Sequence, residues 1–161
     1  MRNKSVKPAA KNLAVNRQAG HLYHLQEKFE AGIELTGTEV KSIREGKANL
    51  KDSYGVVKGS QVWLVRCHIS PYAAGSHYNH DPLRDRRLLL HRVEIDKVAG
   101  RTRERGFTLI PTRLYLKNNL IKCEIALAKG KKIYDRRETE RRRTIDRETE
   151  QAIRTHRNRQ G

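Results

Sequence analysis

The sequence predicts a mainly β fold in which short antiparallel strands close into a barrel, with two or three small helices and a basic C-terminal tail. Three observations predict it: apolar and polar residues alternate from residue 23, two apolar runs meet at Asn118-Asn119, and apolar residues become rare after Gly130. Barrel closure removes exposed strand edges and leaves a charged exterior around an apolar interior. We therefore expect three regions: a disordered basic N-terminus over residues 1–12, a barrel over 13–130 and a tail over 131–161.

The first predicted strand covers residues 23–35, where odd positions are apolar and even positions are polar. This period of two indicates a strand with one buried face, and only Glu27 interrupts the apolar row. At Thr36 the period changes, because Thr36 and Glu39 fit a capping box at the start of a helix. Gly46 is expected to end that helix within about ten residues.

Two further strands and a loop are predicted in the middle of the chain. Residues 48–58 (ANLKDSYGVVK) are expected to form one strand, and residues 59–60 (GS) a turn. Residues 61–69 (QVWLVRCHI) are apolar enough to predict a strand that is buried on both faces. Residues 70–82 (SPYAAGSHYNHDP) are rich in turn-forming residues and predict a long loop.

Residues 86–106 (RRLLLHRVEIDKVAGRTRERG) predict a helix with Gly106 as its C-cap, although the opening residues also fit a strand. Residues 107–130 predict a hairpin, because Asn118 and Asn119 tolerate the left-handed backbone of a tight turn between two apolar runs. Five or six short antiparallel strands with two small helices are typical of an OB-like closed barrel.

Residues 131–161 contain few apolar side chains, and charges of both signs recur at helical spacing, as in Glu138 with Arg142. So little apolar area does not offset an ordering entropy of about 1–2 kcal/mol per residue. We therefore expect a tail that is disordered in the free protein and becomes helical when it binds an anionic partner. A merely solubilising appendage is the alternative.

The net charge limits the kind of partner. The chain has 35 Lys and Arg against 18 Asp and Glu, a formal charge of +17. This excess favours nucleic acid as the partner, with a membrane surface second. No run approaches the roughly 20 apolar residues of a spanning helix, and the polar N-terminus lacks a secretory apolar segment. Cys67 and Cys123 are interpreted as buried thiols, and the expected location is the cytoplasm.

The sequence offers little support for catalysis. His77, His80 and Asp81 form the one cluster that resembles a set of metal ligands, without a third His or Cys nearby. A turn anchored by Asn79, Asp81 and Pro82 is the preferred interpretation, and a metal-dependent nuclease is the minor alternative. Because phosphate loops and nucleophile motifs are also lacking, we predict no enzyme, no catalytic residue, no metal and no cofactor.

RNA binding is the favoured function. Basic residues supply contacts to phosphates, and aromatic or imidazole rings among them supply stacking surfaces for unpaired bases. For the tyrosines the alternative is core packing with a surface hydroxyl, and for Arg17 and Arg44 it is a solvated charge. The candidates crowd the start of the first predicted strand and the end of the segment that follows the helix: Asn16, Arg17, His21, Tyr23 and Tyr54.

Several segments together closely resemble the SsrA-binding protein (SmpB) family, in order and spacing. They are NRQAGHLY, FEAGIELTGTEVKSIREGKANLKDSY, HISPY, NHDP, RRLLLH, LYLKN and AKGKKIYDRRE. The resemblance implies an OB-like barrel that binds the tRNA-like domain of transfer-messenger RNA and delivers it to stalled 70S ribosomes. It further implies a monomer whose tail enters the decoding centre, formed by 16S rRNA, and the empty mRNA channel. A ribosomal-protein-like structural rRNA binder is the alternative.

The resemblance also assigns residues. An RNA-binding surface is implied at Asn16, Arg17, His21, Tyr23, Glu30, Glu39, Lys41, Arg44, Tyr54, Leu90 and Lys122. The two glutamates are expected to organise neighbouring basic groups, because a carboxylate beside phosphate is unfavourable. The implied decoding-centre and tail residues are Lys131, Lys132, Tyr134, Asp135, Arg136, Arg137, Ala152 and Ile153. Gly20 and Val93 depart from the family, since basic residues are usual at both positions.

Overall fold

The computed structural model describes residues 10–159, and most of them belong to nine strands and four helices. The strands are β1 (Lys11–Val15), β2 (Tyr23–Ile33), β3 (Ala48–Asn49), β4 (Tyr54–Lys58), β5 (Gln61–Val65), β6 (His68–Ile69), β7 (Arg86–Leu89), β8 (Phe107–Lys117) and β9 (Leu120–Gly130). The helices are α1 (Ala19–Leu22), α2 (Gly37–Arg44), α3 (Arg92–Thr102) and α4 (Ile133–Arg159), with a 3-10 turn at Ser76–Tyr78. The fold is therefore mainly β with several helices, as predicted.

Seven strands form one antiparallel sheet in the order β1-β8-β4-β5-β7-β2-β9, and β8 also pairs with β9. The three 11-residue strands, β2, β8 and β9, provide the longest ladders. The two shortest strands, β3 and β6, pair separately. This pairing brings the start of β2, the start of β4 and the first half of β8 close to α1.

Strand β2 confirms the predicted alternation. Phe29 and Ala31 are buried, whereas their neighbours Lys28 and Glu30 are exposed. The register with β9 shifts between Leu25 and Lys28, at the place where Glu27 interrupts the apolar row. The local irregularity turns Glu27 to the surface, where its Oε1 accepts a 2.7 Å hydrogen bond from Lys97 Nζ.

Helix α2 begins as predicted. Thr36 Oγ1 accepts a hydrogen bond from the Glu39 amide, and Glu39 Oε2 accepts one from the Thr36 amide at 3.0 Å. The helix ends at Arg44, and Gly46 follows with a φ of +76°, which glycine adopts without strain. The capping box and the glycine thus set both ends of the helix.

Two predicted strands are in fact divided. Residues 48–58 form β3 and β4 with a turn between them, at which Asp52 has a φ of +62°. Residues 61–69 form β5 and β6, separated at Arg66, which has a φ of +61°. The prediction of burial on both faces was also wrong, because only alternate residues of β5, Val62 and Leu64, are buried. A left-handed residue redirects the chain, so neither strand continues into its neighbour.

The alternative interpretation of residues 86–106 is confirmed for its opening residues, which form β7 before α3 begins at Arg92. Gly106 is not the C-cap of α3: the helix ends at Thr102, and Gly106, with a φ of +88°, precedes β8. The β8–β9 hairpin is confirmed, and Asn118 and Asn119 have φ values of +48° and +64°.

Strand β1 and helix α1 were not predicted. Strand β1 pairs with β8, with Lys11 opposite Leu116, so the ordered chain includes residues 11 and 12. The remainder of the predicted disordered N-terminus, residues 1–9, lies outside the described residues. The five residues of β1 do not alternate between apolar and polar, so they give no local signal for a strand. The strand depends on pairing with β8, about 100 residues away in sequence.

The main core lies between the ladders of β2, β5, β8 and β9 and under α2 and α3. Cys67 and Cys123 belong to it as free, buried thiols, as predicted. Burial raises the pKa of the Cys67 thiol to about 11 and also raises the pKa of Cys123. Within residues 10–159, no helix is long and apolar enough to cross a membrane.

Residues 133–159 form the single helix α4, so the helical pattern of the tail is present in the structure. Its N-terminal part contacts the body at α1 and at His24 of β2. One ion pair within the helix follows the predicted spacing, between Arg142 Nη2 and Glu138 Oε1 at 2.6 Å. Whether the helix requires a partner to form stays a prediction.

Candidate nucleic-acid interface

An open cleft of about 610 Å³ lies where α1 meets the starts of β2 and β4. Its size falls within the range of ligand pockets in proteins. Apolar residues and two tyrosine rings alternate with polar groups around it, and the lining residues are Asn16, Gln18, Ala19, Leu22, Tyr23, Asp52, Ser53, Tyr54, Arg66, Thr108 and Ile110. The structure thus brings together three of the predicted RNA-binding residues, Asn16, Tyr23 and Tyr54.

Asn16 holds the cleft together from inside. Its side-chain Nδ2 donates to the Pro111 carbonyl at 3.0 Å, and its backbone amide donates to the Thr112 carbonyl at 2.8 Å. The Asn16 carbonyl in turn accepts from the amide of Ala19 at the start of α1. Asn16 therefore fixes the junction of β1, α1 and β8, which positions the other residues of the cleft.

For Tyr23 and Tyr54 the sequence left two interpretations open, a stacking surface for bases and packing in the core, and the structure contains elements of both. Both rings pack against a small cluster formed by Ala19, Ile110 and Ala128, and both remain partly exposed in the cleft. One side of each ring is thus supported by the protein, and the accessible part remains available for a planar ligand. Rings held in this way lose little side-chain entropy on binding.

Arg17 precedes α1 and His21 lies within it, and the two side chains have different surroundings. Arg17 is exposed and makes no hydrogen bond or ion pair with the part of the chain that the structure describes. His21 lies under α4, where its Nε2 is 3.2 Å from Glu140 Oε1, and its buried Nδ1 lacks a partner within residues 10–159. The Arg17 guanidinium is therefore accessible to an anion, whereas the His21 ring already contacts Glu140 of the tail.

Glu30 lies on the β2–β9 ladder among basic and hydroxyl groups. Tyr115 Oη donates to Glu30 Oε2, and Lys117 Nζ lies 3.0 Å from both carboxylate oxygens. These hydrogen bonds, first from Tyr115 and then from Lys117, lower the pKa of Glu30 below its ordinary value. The partly exposed Lys122 adds its positive charge to the same site. Glu30 therefore organises cations, as predicted.

Glu39 is fully buried and surrounded by arginine. Arg84 donates to both of its carboxylate oxygens at 3.0 and 2.9 Å, and Arg86 Nε donates to Oε1 at 3.0 Å. Burial by itself raises the pKa of Glu39, but the hydrogen bonds from Arg84 and the Thr36 amide, together with both arginine charges, hold it below its ordinary value. Glu39 cannot touch a ligand from this position, so it acts by holding its neighbours.

The remaining predicted surface residues lie on or near α2 and β7. Lys41 is exposed, with its Nζ 5.4 Å from the centre of the Tyr72 ring. Arg44 is exposed and its Nη2 donates to the Asn119 carbonyl in the β8–β9 turn, at 3.4 Å. Leu90 is partly buried and packs against the core between β7 and α3. These residues therefore surround a different part of the surface from the cleft.

The start of the tail is anchored to α1 and to the beginning of β2. Lys131 Nζ donates to the Gly20 carbonyl at 2.9 Å and to Thr139 Oγ1 at 3.0 Å, and His24 Nε2 lies 3.5 Å from Asp135 Oδ2. The outward side of the helix carries most of the other predicted tail residues. Lys132, Tyr134, Arg137, Ala152 and Ile153 are exposed, whereas Arg136 is partly buried.

Sequence reasoning missed the arginines that matter most structurally. Arg86 is fully buried, and its Nη1 donates to the Cys67 carbonyl at 2.7 Å. Arg66 lines the cleft with a left-handed backbone. A run of charges such as DPLRDRR predicts a solvated surface, so the sequence does not indicate that Arg86 is buried. Arg66 carries a weak signal, because it interrupts an otherwise apolar run.

The two departures from the family lie in open positions. A Cβ at Gly20 would meet only Arg143 Nη2, at 3.9 Å, and Val93 is 79% exposed. The loop before β7 is anchored as predicted, because Asn79 exchanges two hydrogen bonds with the Tyr72 backbone and Asp81 Oδ1 accepts from the Leu83 amide. In the described part of the chain, no three His, Cys, Asp or Glu side chains are grouped to hold a metal.

Sequence comparisons with known proteins identify relatives of this chain. The family model described as "SmpB protein" matches residues 13–155. The SsrA-binding protein of Koribacter versatilis is 54% identical over 143 residues, 89% of this chain and 82% of that protein. The SsrA-binding protein of Geobacillus kaustophilus is 53% identical over 148 residues, 92% of this chain and 96% of that protein.

A solved structure described as "tmRNA-SmpB: a journey to the center of the bacterial ribosome" contains a similar chain. It has 41% sequence identity and a TM-score of 0.64, covering 74% of this chain and 84% of that one. The family model spans the sheet and most of α4, and the relatives share more than half of the aligned residues. The chain therefore belongs to the SmpB family of SsrA-binding proteins.

Proposed function

We propose that this protein is a non-enzymatic RNA-binding adaptor of trans-translation in the bacterial cytoplasm. It binds the tRNA-like domain of transfer-messenger RNA and delivers it to stalled 70S ribosomes. The observation that carries the proposal is the extent of the family match, which runs from residue 13 to residue 155 through both the sheet and α4. The net charge of +17 supports a polyanionic partner, and no cofactor is needed.

The body is proposed to be an OB-like closed barrel over residues 13–130. The strand pairings support this, because β8 pairs with β9, β9 with β2, β2 with β7, β7 with β5, β5 with β4 and β4 with β8. Within the seven-stranded sheet, this circuit leaves β1 as the one additional strand, on the side of β8. A rigid barrel presents its surface residues in fixed relation, which suits an RNA that is recognised by shape.

The proposed RNA-binding surface has a contact set and a supporting set. Tyr23 and Tyr54 stack on unpaired bases, and exposed cations contact phosphates at Arg17, Lys41, Arg44 and Lys122. His21 joins the contact set when Glu140 is displaced. The supporting set fixes the shape of this surface through hydrogen bonds and packing: Asn16, Glu30, Glu39 and Leu90.

The tail is proposed to occupy the decoding centre and the empty mRNA channel. The exposed ring of Tyr134 stacks on rRNA bases, while Arg136 and Arg137 pair with phosphates. Lys131, Lys132 and Asp135 set the direction in which the helix leaves the body. Ala152 and Ile153 supply an apolar contact at its far end, where Ile153 is 56% exposed. We propose that full ordering of the helix accompanies binding.

Deleting residues 131–161 tests this division of labour. We expect the truncated protein to retain its affinity for the tRNA-like domain and to lose ribosome rescue in a reconstituted translation system. A finer variant is Tyr134→Ala, with Tyr78→Ala as its control, because both rings are exposed and only the first lies in the tail. Equal loss of RNA affinity and rescue on truncation would contradict the proposal. Retention on ribosomal subunits through a high-salt wash would favour a structural rRNA binder instead.

A further inference from the structure

We propose that Arg66 binds the phosphate of an unpaired nucleotide whose base enters the cleft between α1 and the starts of β2 and β4. The inference rests on the proposed RNA-binding function and adds a residue and a ligand class to it. Four observations carry it: the backbone conformation of Arg66, its lack of an internal partner, the chemistry of the cleft and the position of Asp52.

The backbone of Arg66 is unusual for its residue type. Among the described residues, five non-glycine residues have positive φ. Ser60, Asn118 and Asn119 lie in tight hairpin turns, which require this conformation. The other two, Asp52 and Arg66, both line the cleft. Aspartate tolerates the left-handed region, whereas arginine gains nothing from it, and such strain is concentrated at functional sites.

The guanidinium of Arg66 is free to bind an anion. Arg66 is exposed and makes no hydrogen bond or ion pair within residues 10–159. By contrast, Arg84, Arg87 and Arg113 each pair with a glutamate on the same sheet or beside it. An unpaired guanidinium can form two parallel hydrogen bonds with a phosphate.

The rest of the cleft suits a base rather than a second anion. The rings of Tyr23 and Tyr54 and the side chain of Ile110 provide flat and apolar contact area, and Asn16 and Thr108 add polar atoms. Asp52 is the only carboxylate among the described residues that line the cleft, and it forms no ion pair with Arg66. A phosphate is therefore repelled from the Asp52 side and attracted to the Arg66 side, while a stacked base fits between them.

Arg66→Asn is the decisive variant, because asparagine removes the charge and adopts the left-handed backbone readily. Lys58→Asn is the matched control. Lys58 is exposed at the turn end of the β4–β5 hairpin, whereas Arg66 follows the opposite end, about 13 Å away at 3.3 Å per residue. Both variants lose one positive charge, so general electrostatic attraction falls equally in the two.

We expect Arg66→Asn to keep or raise the thermal midpoint and to weaken binding of the tRNA-like domain about tenfold or more. The slope of log affinity against log salt concentration should fall by about 0.7–0.9, the value for one phosphate contact. Lys58→Asn should change affinity by less than about threefold, because its charge is exposed and screened. A free nucleoside monophosphate should compete poorly, since it lacks the surrounding RNA contacts.

Equal affinities and equal salt slopes for Arg66→Asn and Lys58→Asn would overturn the inference. If Arg66→Asn fails to fold, Arg66→Gly supplies the same test with an unstrained backbone. A different result would contradict the proposed function. If the wild-type protein bound an unstructured RNA as tightly as the tRNA-like domain, it would not be an adaptor specific for that domain. A defect of Arg66→Asn on both RNAs would then still support the phosphate contact.

Discussion

The buried carboxylate of Glu39 provides the most direct test of how the proposed RNA-binding surface is held in place. Replacing Glu39 by glutamine keeps the size of the side chain and removes its charge, which leaves the fully buried Arg86 without its carboxylate partner. Removing one member of a buried ion pair costs about 3–5 kcal/mol, because the remaining charge stays desolvated. We expect Glu39→Gln to lower the free energy of unfolding by about this amount.

Glu94→Gln is the matched control. Glu94 occupies the same N3 position of a capping box, at the start of α3, where its Oε2 accepts from the His91 amide at 3.0 Å. Glu94 is partly exposed and makes no ion pair with an arginine in the described part of the chain. Its replacement should cost about 1 kcal/mol or less. The difference between the two variants isolates the buried ion pairs from helix capping.

Urea unfolding followed by circular dichroism measures both free energies. For a chain of this length, 1 kcal/mol corresponds to about 2–4 °C in the thermal midpoint. Glu39→Gln should therefore melt about 6–20 °C below the wild type. RNA affinity, corrected for the folded fraction, reports whether the surface around α2 keeps its shape. Equal destabilisation by Glu39→Gln and Glu94→Gln would refute the reasoning, because the arginine network would then contribute nothing.

The free energies of unfolding of wild type and Glu39→Gln can also be compared as a function of pH. The pKa of Glu39 in the folded protein lies below its ordinary value of 4.5. Because the folded state favours the ionised form, the stabilisation is present above about pH 4.5 and is lost as the pH falls through the lowered pKa. The stability curves of wild type and Glu39→Gln should therefore separate at neutral pH and converge in acid. Curves that stay parallel down to acidic pH would exclude this origin.

Two further predictions concern glycine substitutions and buried thiols. Gly55→Ala should lower the free energy of unfolding by about 1–3 kcal/mol, because the new Cβ would lie 2.8 Å from Leu109 Cβ. Gly100→Ala in α3, where nothing lies within 4 Å of the added atom, should raise it by about 0.4–1 kcal/mol; denaturant titrations of both variants test the pair. The buried thiols of Cys67 and Cys123 should react with a thiol reagent at pH 8 only as fast as the protein opens, since burial raises the pKa of each thiol. Reaction at the rate of a free cysteine would contradict their burial.

Local signals in the sequence predicted the parts of the fold that depend on near neighbours. The capping box at Thr36 and Glu39 and the turn at Asn118 and Asn119 each involve residues within three positions of one another. The alternation in β2 was similarly readable, because one face of a long strand meets the core along its whole length. These features required no knowledge of distant contacts.

The missed features depend on contacts that are distant in sequence. Strand β1 exists because β8 offers it an edge, and Glu39 meets Arg86 across 47 positions. The break at Arg66 could not be predicted, since arginine shows no preference for a left-handed backbone. For the site, the family resemblance supplied the residues, while the structure separated Tyr54, which faces the cleft, from Glu39, which lies beneath the surface.

Helix α4 is held to the body near its N-terminus and extends away from it. Its 27 residues extend about 40 Å at 1.5 Å per residue, and the described contacts with the body lie in its N-terminal part, near Gly20, His21 and His24. A rotation of roughly 10° about this attachment moves the far end by about 7 Å over that length. A small change in the orientation of α1 is therefore magnified into a larger displacement of Ala152 and Ile153.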